Sequence, residues 1–172
     1  MFTRPLRYVL FVAFGLTLYG QTKPKDIDGW DKVKWGMTMP EVRSAYHVDA
    51  QPETKDDWTL LQLNPIKVGG VEMGVQVGAR VGSETISSIR LWSYFGLPNS
   101  PPGAGAENFD TLRTVLIEQY GHPAKEDTKH GENFRIIKTV FWTFPSTSLL
   151  MTLEASTSIP NLGNIDLVFT PK

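Results

Sequence analysis

The feature that most constrains the fold is the run Gly70–Gly82, in which apolar residues alternate strictly with glycine or polar residues. Successive side chains of a β-strand point to opposite faces, so this period of two predicts a strand with one buried and one solvated face. Such strands are typical of antiparallel sheets. A helix over the same residues is disfavoured by its four glycines and its β-branched side chains. Glu72, Gln76 and Arg80 also argue against a membrane helix.

A helix start is the second strong local signal. Thr38 and Glu41 have the spacing of a capping box, in which each side chain accepts a hydrogen bond from a free backbone N–H of the first turn. Pro40 lies in that turn, where its missing N–H costs no hydrogen bond. Apolar residues then recur at helical spacing, which predicts a short helix that ends near Tyr46.

The remaining segments predict a second helix and further strands. The second helix is expected from about Glu107 to Tyr120, because its apolar residues lie on one arc and Gly121 follows. No strand is predicted in the polar residues 47–57. A long loop is expected from the end of this helix to Lys138, and the start of a strand at Phe134–Ile137 is left open within it. Further strands are expected at Trp58–Leu63, Thr85–Phe95, Val140–Phe144, Leu149–Leu153 and Ile165–Phe169.

These elements together predict an α+β fold of two helix-plus-antiparallel-strand units, about αβββ-αβββ, with the helices packed on one face of the sheet. The units comprise residues 30–95 and 107–172, and a Pro- and Gly-rich linker, 96–106, joins them into a single domain. Residues 21–29 are polar and are expected to be loose.

The first residues have the composition of a targeting segment. Arg4 and Arg7 precede the uncharged run Tyr8–Tyr19, which is shorter than the roughly 20 residues of a membrane span. This pattern predicts a signal peptide over residues 1–20, cleaved after Gly20, and hence a secreted or periplasmic protein without a stable membrane span in the mature chain. The alternative is an uncleaved anchor. Removal of residues 1–20 leaves 15 basic and 18 acidic residues, a formal charge of −3.

Several kinds of chemistry are disfavoured by the composition. The chain has no cysteine, which excludes disulfides, thiol catalysis and thiolate metal sites. Lys and Arg do not cluster, so no nucleic acid partner is expected. His47, His122 and His130 lack the spacing of a metal site, and no nucleophile motif occurs. We therefore predict a protein that is not an enzyme and that holds no metal or cofactor.

Two short motifs resemble a known structural unit. Gly36-Met37-Thr38, with Val42 four residues after the threonine, is similar to the helix start of the secreted β-lactamase inhibitor proteins and of the small lipoprotein of the outer-membrane β-barrel assembly machinery. Tyr120-Gly121-His122-Pro123 is similar to the Gly-x-Pro that ends such a helix. The resemblance implies secreted bacterial α+β proteins that bind other proteins with a sheet face. The chain lacks both the disulfide cysteines and the lipid-bearing cysteine of these proteins, so no functional residue is carried over.

The register of the predicted hairpin decides which side chains face outward. A two-residue loop at Gly82-Ser83 would bury Arg90 beside Val75, and an unpaired buried charge costs several kcal/mol. A three-residue loop that ends at Glu84 instead pairs Val75 with Leu91 and leaves Arg90 outside. We therefore predict the second register.

That register predicts the candidate binding residues. Arg90, Trp92 and Tyr94 then lie on the outer face, with Trp92 over Gly74. An exposed Trp, Tyr and Arg on one strand are typical of a binding hot spot. The alternative is that Trp92 only covers a strand glycine.

The functional prediction is a non-catalytic module that binds another envelope or secreted protein with a sheet face. A small-molecule or lipid carrier is the alternative. Its pocket would lie between the helices and the sheet and would be lined by Trp58, Met73 and Met151.

Overall fold

The computed structural model describes residues 26–97, 105–132, 135–159 and 162–172. The predicted signal peptide and most of the predicted linker lie outside these ranges. Within them the chain forms two helices and ten strands, which in chain order are β1 (Gly29–Trp30), β2 (Val33–Lys34), α1 (Met39–Tyr46), β3 (Glu53–Lys55), β4 (Trp58–Val68), β5 (Val71–Arg80), β6 (Ser88–Phe95), α2 (Glu107–Tyr120), β7 (Lys125–Gly131), β8 (Arg135–Thr143), β9 (Thr147–Ser156) and β10 (Gly163–Pro171).

Eight of the strands form one antiparallel sheet in the order β3-β4-β5-β6-β10-β9-β8-β7, while β1 and β2 pair separately. The α+β class with an antiparallel sheet is therefore confirmed. Each half contributes four strands to the sheet, rather than the three predicted. The central strands are β6 and β10, which pair from Phe95↔Gly163 to Ile89↔Phe169.

One face of the sheet carries the hydrophobic core. The alternation of apolar residues along β5 buries one face of the strand, as predicted, since Met73, Val75 and Val77 are at most 1% exposed. Both helices contribute buried side chains to the same apolar cluster and therefore lie on this face. The buried helix residues are Met39 and Val42 from α1 and Phe109, Leu112 and Leu116 from α2.

The predicted hairpin register is confirmed. Val75 pairs with Leu91, and Gly74 pairs with Trp92. The loop prediction is wrong, because the strands are joined by residues 81–87 rather than by three residues. The longer loop buries Ile86, whose N–H donates to the carbonyl of Met37 at 2.8 Å.

In the eight-stranded sheet, the strands that were not predicted are β3 and β7, and these are its two edges. The separate pair of β1 and β2 was not predicted either. All three residues of β3 are exposed, as are most of β7. Natural edge strands carry charged residues that discourage pairing with another chain, so they lack an apolar period. The loop expected up to Lys138 is therefore wrong where the chain forms β7, whereas β8 begins at Arg135, within the strand start that was left open at Phe134–Ile137.

The segment that precedes β1 is tied to the distant turn between β8 and β9. Asp26 accepts hydrogen bonds from the backbone N–H and the hydroxyl of Ser146, at 2.8 and 2.6 Å. The hydroxyl of Thr147 donates to the carbonyl of Ile27 and accepts from the indole N–H of Trp35. These hydrogen bonds join Asp26 and Ile27, the described part of the segment predicted to be loose, to the β8–β9 turn, and residues 21–25 lie outside the described ranges.

Candidate functional site

The second face of the sheet is open. In the described parts of the chain both helices lie on the opposite face, so no helix covers this one. Arg90, Trp92 and Tyr94 project onto it from β6, a central strand, because they alternate with the buried residues of that strand. Tyr94 is 42% exposed, while Arg90 and Trp92 are half-buried. The structure therefore brings the three predicted residues together on one exposed face.

Trp92 packs closely against the backbone of its neighbour strand at Gly74. A Cβ added to Gly74 would stand 2.6 Å from Cζ2 of the Trp92 ring, closer than real Cβ contacts. Only glycine permits this approach. Trp92 therefore covers Gly74, which was the alternative that the sequence left open for this residue. The packing holds the indole in a defined position and leaves part of it accessible.

Arg90 belongs to a polar network across the two central strands. Its Nε–H donates to Oδ1 of Asp166 at 2.5 Å, and the Asn164 amide donates to Oδ2 of the same carboxylate at 2.6 Å. Burial opposes the charge of Arg90, but the hydrogen bond and the charge of Asp166 outweigh it and raise its pKa. The hydrogen bond from Arg90 to Asp166 thus fixes the orientation of the guanidinium.

Asp166 and Asn164 were not among the residues predicted for this site. A signal for them exists, because they alternate with the buried Ile165 and Leu167 along β10. The pattern places their side chains on the open face. What it does not reveal is which strand lies beside β10.

A second tryptophan and arginine pair lies farther toward the edge formed by β3. Trp58 crosses Gly78, where an added Cβ would come within 3.1 Å of the ring. The guanidinium carbon of Arg80 stands 4.2 Å from the centroid of the Trp58 ring. The open face therefore carries two tryptophans that each cover a glycine of β5 and each contact an arginine.

The pocket predicted for a carrier is not formed by the residues named for it. Met73 and Met151 are fully buried in the core. Trp58 lies on the other face of the sheet, because β4 turns Leu61 and Leu63 inward and the alternate residue Trp58 outward.

Two depressions lie on the open face, on either side of Trp92. One, of about 210 Å³, borders Trp58 and Arg90. The other, of about 340 Å³, borders Tyr94 and the Arg135–Glu154 ion pair. Within the described ranges, no group of three or more His, Asp or Glu side chains is arranged to hold a metal ion. The same ranges hold no helix of the length and apolarity that a membrane crossing requires.

Fold and site together define an α+β protein whose antiparallel sheet is covered by helices on one face and, over the described residues, is open on the other. Comparison of the chain with protein-family models, with curated proteins and with solved structures finds no match. The resemblance to the inhibitor and lipoprotein unit therefore stays a prediction that depends on the short motifs at the helix ends.

Substitution of Gly74 by alanine is expected to displace Trp92, because the new methyl group and the indole ring would occupy the same space. We expect a shift of the Trp92 indole N–H resonance and a loss of about 1–3 kcal/mol in the free energy of unfolding. Gly131→Ala is the matched control, since an added Cβ there has its nearest heavy atom at 3.5 Å. Equal effects of the two substitutions would contradict the close packing of Trp92 on Gly74.

Proposed function

We propose that this chain is an exported, non-catalytic module that binds another envelope or secreted protein with the open face of its sheet. The observation that carries the proposal is the alignment of Arg90, Trp92 and Tyr94 on a central strand of that face. Trp, Tyr and Arg are the residues most enriched in binding hot spots, which lie near the centre of an interface.

Two physical properties of this face support the proposal. Gly74 holds Trp92 and Asp166 holds Arg90, so little side-chain entropy is lost when a partner binds. Apolar side chains continue the row beside Arg90, since Val168, Leu150 and Phe141 are paired successively across the neighbouring strands. Leu150 is 39% exposed. A polar and aromatic centre beside apolar side chains suits a protein surface.

The proposal includes a duplicated architecture of one helix and four sheet strands in each half. Its support is the strand order, in which β3 to β6 run inward from one edge and β7 to β10 run inward from the other. Both halves would then contribute a central strand to the interface. An experimental structure in which the halves superpose strand for strand supports the duplication, and halves of unrelated geometry exclude it.

The test is capture of a partner by immobilised mature protein from an envelope extract, followed by measurement of its affinity. Tyr94→Ala is expected to weaken the captured partner by about tenfold, because Tyr94 is an exposed member of the site. Val81→Ala is the control, since Val81 is 57% exposed but lies in the loop after β5. A captured partner whose affinity is unchanged by Tyr94→Ala counts against the proposal. So does the failure to capture any partner at several salt concentrations.

A small-molecule carrier stays the second candidate, and the depression of about 340 Å³ beside Tyr94 favours it. This volume is at the lower end of the range of small-molecule sites. The lining includes the Arg135–Glu154 pair and Asn164, which supply polar contacts. Native mass spectrometry of protein purified from its own host is the test, and a persistently unliganded mass argues against a carrier.

A further inference from the structure

Arg80 differs from the other arginines of the open face in what surrounds it. Over the described residues, Arg90 pairs with Asp166 and Arg135 pairs with Glu154, whereas no carboxylate forms an ion pair with Arg80. Arg80 is exposed, and its guanidinium stacks on the ring of Trp58. A stacked guanidinium is held in place while its N–H groups remain accessible.

The depression of about 210 Å³ adjoins this pair, since Trp58 is both its wall and the platform of Arg80. Leu60 adds a second apolar wall, and the paired Gly78 and Ser88 form a floor without bulky side chains. The volume is below the roughly 300–1,000 Å³ of small-molecule sites, so it suits a single side chain better than a free ligand.

The charges around the depression favour an acidic occupant. Lys55 and Arg90 border it, and Arg80 contacts the Trp58 ring that forms one of its walls. Asp56 also borders the depression, and Asp166 compensates Arg90. The unpaired guanidinium of Arg80 is the group best suited to a carboxylate, because its planar fork matches two carboxylate oxygens.

We infer that this depression and Arg80 together bind an acidic peptide segment of the partner protein, with one apolar side chain beside Trp58 and a neighbouring Asp or Glu carboxylate on Arg80. The inference rests on the proposed function, because it names the chemistry of the partner. A free phosphate would use the cationic group but would leave the apolar walls without a contact. A peptide carboxylate next to an apolar side chain would use both, and it is therefore the occupant that this site suits.

The experiment selects binders from a random peptide display library on the immobilised mature protein. We expect enrichment of peptides in which Asp or Glu neighbours a large apolar residue. Synthetic copies are then titrated against the wild type, Arg80→Gln and Arg80→Lys. Arg80→Gln is expected to weaken binding about tenfold, and Arg80→Lys less, because lysine keeps the charge but loses the planar fork.

The peptide carboxylate is tested in the same titrations. Its replacement by the amide should weaken binding to the wild type by a similar factor and should have no further effect in Arg80→Gln. Arg113→Gln is the control, since Arg113 lies on α2 and already pairs with Glu126. Selected peptides without acidic residues, or peptides that bind Arg80→Gln as well as the wild type, overturn the inference.

The same variants separate this inference from the proposed function. A captured envelope protein that depends on Tyr94 but not on Arg80 leaves the protein-binding function in place and overturns the acidic segment. Acidic peptides that bind through Arg80, in the absence of any captured envelope protein, support the acidic site while the proposed function fails.

Discussion

Replacement of Trp142 by alanine is expected to lower the free energy of unfolding by about 3–5 kcal/mol. Trp142 is 1% exposed in the core, between the sheet and the end of α2. Its indole N–H donates to the carbonyl of Gly121 at 2.8 Å, where α2 ends. The substitution thus opens a large cavity and leaves the helix end without its partner. Urea denaturation monitored by circular dichroism measures the loss.

Two further variants separate the causes of that loss. Trp142→Phe keeps an aromatic ring in the core but removes the donor to Gly121. We expect it to lower the free energy of unfolding by about 1–3 kcal/mol. Phe141→Ala is the matched control on the adjacent position, because Phe141 is half-buried and faces the open side. A loss from Phe141→Ala equal to that from Trp142→Ala would contradict the assignment of the two faces.

Replacement of Trp92 by alanine is expected to have the opposite profile, with a large effect on binding and a small one on stability. We expect the affinity for the captured partner to fall by about 30-fold, equivalent to about 2 kcal/mol, as for a central hot-spot residue. The expected loss of stability is about 1 kcal/mol, because the half-buried ring loses its contact with Gly74 but opens no core cavity. Calorimetric titration and urea denaturation measure the two quantities.

Trp92→Phe is the control for this prediction, since a phenyl ring still covers Gly74. Its stability should be near that of the wild type, while its affinity should fall between those of the wild type and Trp92→Ala. Unchanged affinity together with a stability loss as large as that of Trp142→Ala would show that Trp92 serves only the sheet.

The elements that sequence predicted well depend on local chemistry. Helix α1 begins after Thr38 because the capping box forms, with the Thr38 N–H donating to Glu41 at 2.7 Å. Helix α2 ends at Gly121, whose φ of 81° is a conformation that glycine adopts without strain. The hairpin register was predictable because a slip of one residue would have moved Arg90 into the core.

The elements that sequence missed depend on distant partners or on the lack of a periodic signal. The hydrogen bonds between Asp26 and Ser146 join residues that are 120 positions apart, and no local sequence pattern specifies them. The edge strands are solvated and carry no apolar alternation to detect. The loop at 81–87 is longer than the predicted three residues, and it buries Ile86 beside the start of α1.

By itself the sequence determined which side chains of β5 and β6 face the core and which face away, because alternation is a property of the extended backbone. That was enough to place Arg90, Trp92 and Tyr94 on one face. Only the tertiary structure decided that both helices would cover the same side and that Asp166, 76 residues from Arg90, would fix its guanidinium. The order in which strands associate depends on packing of the whole chain, which no local period encodes.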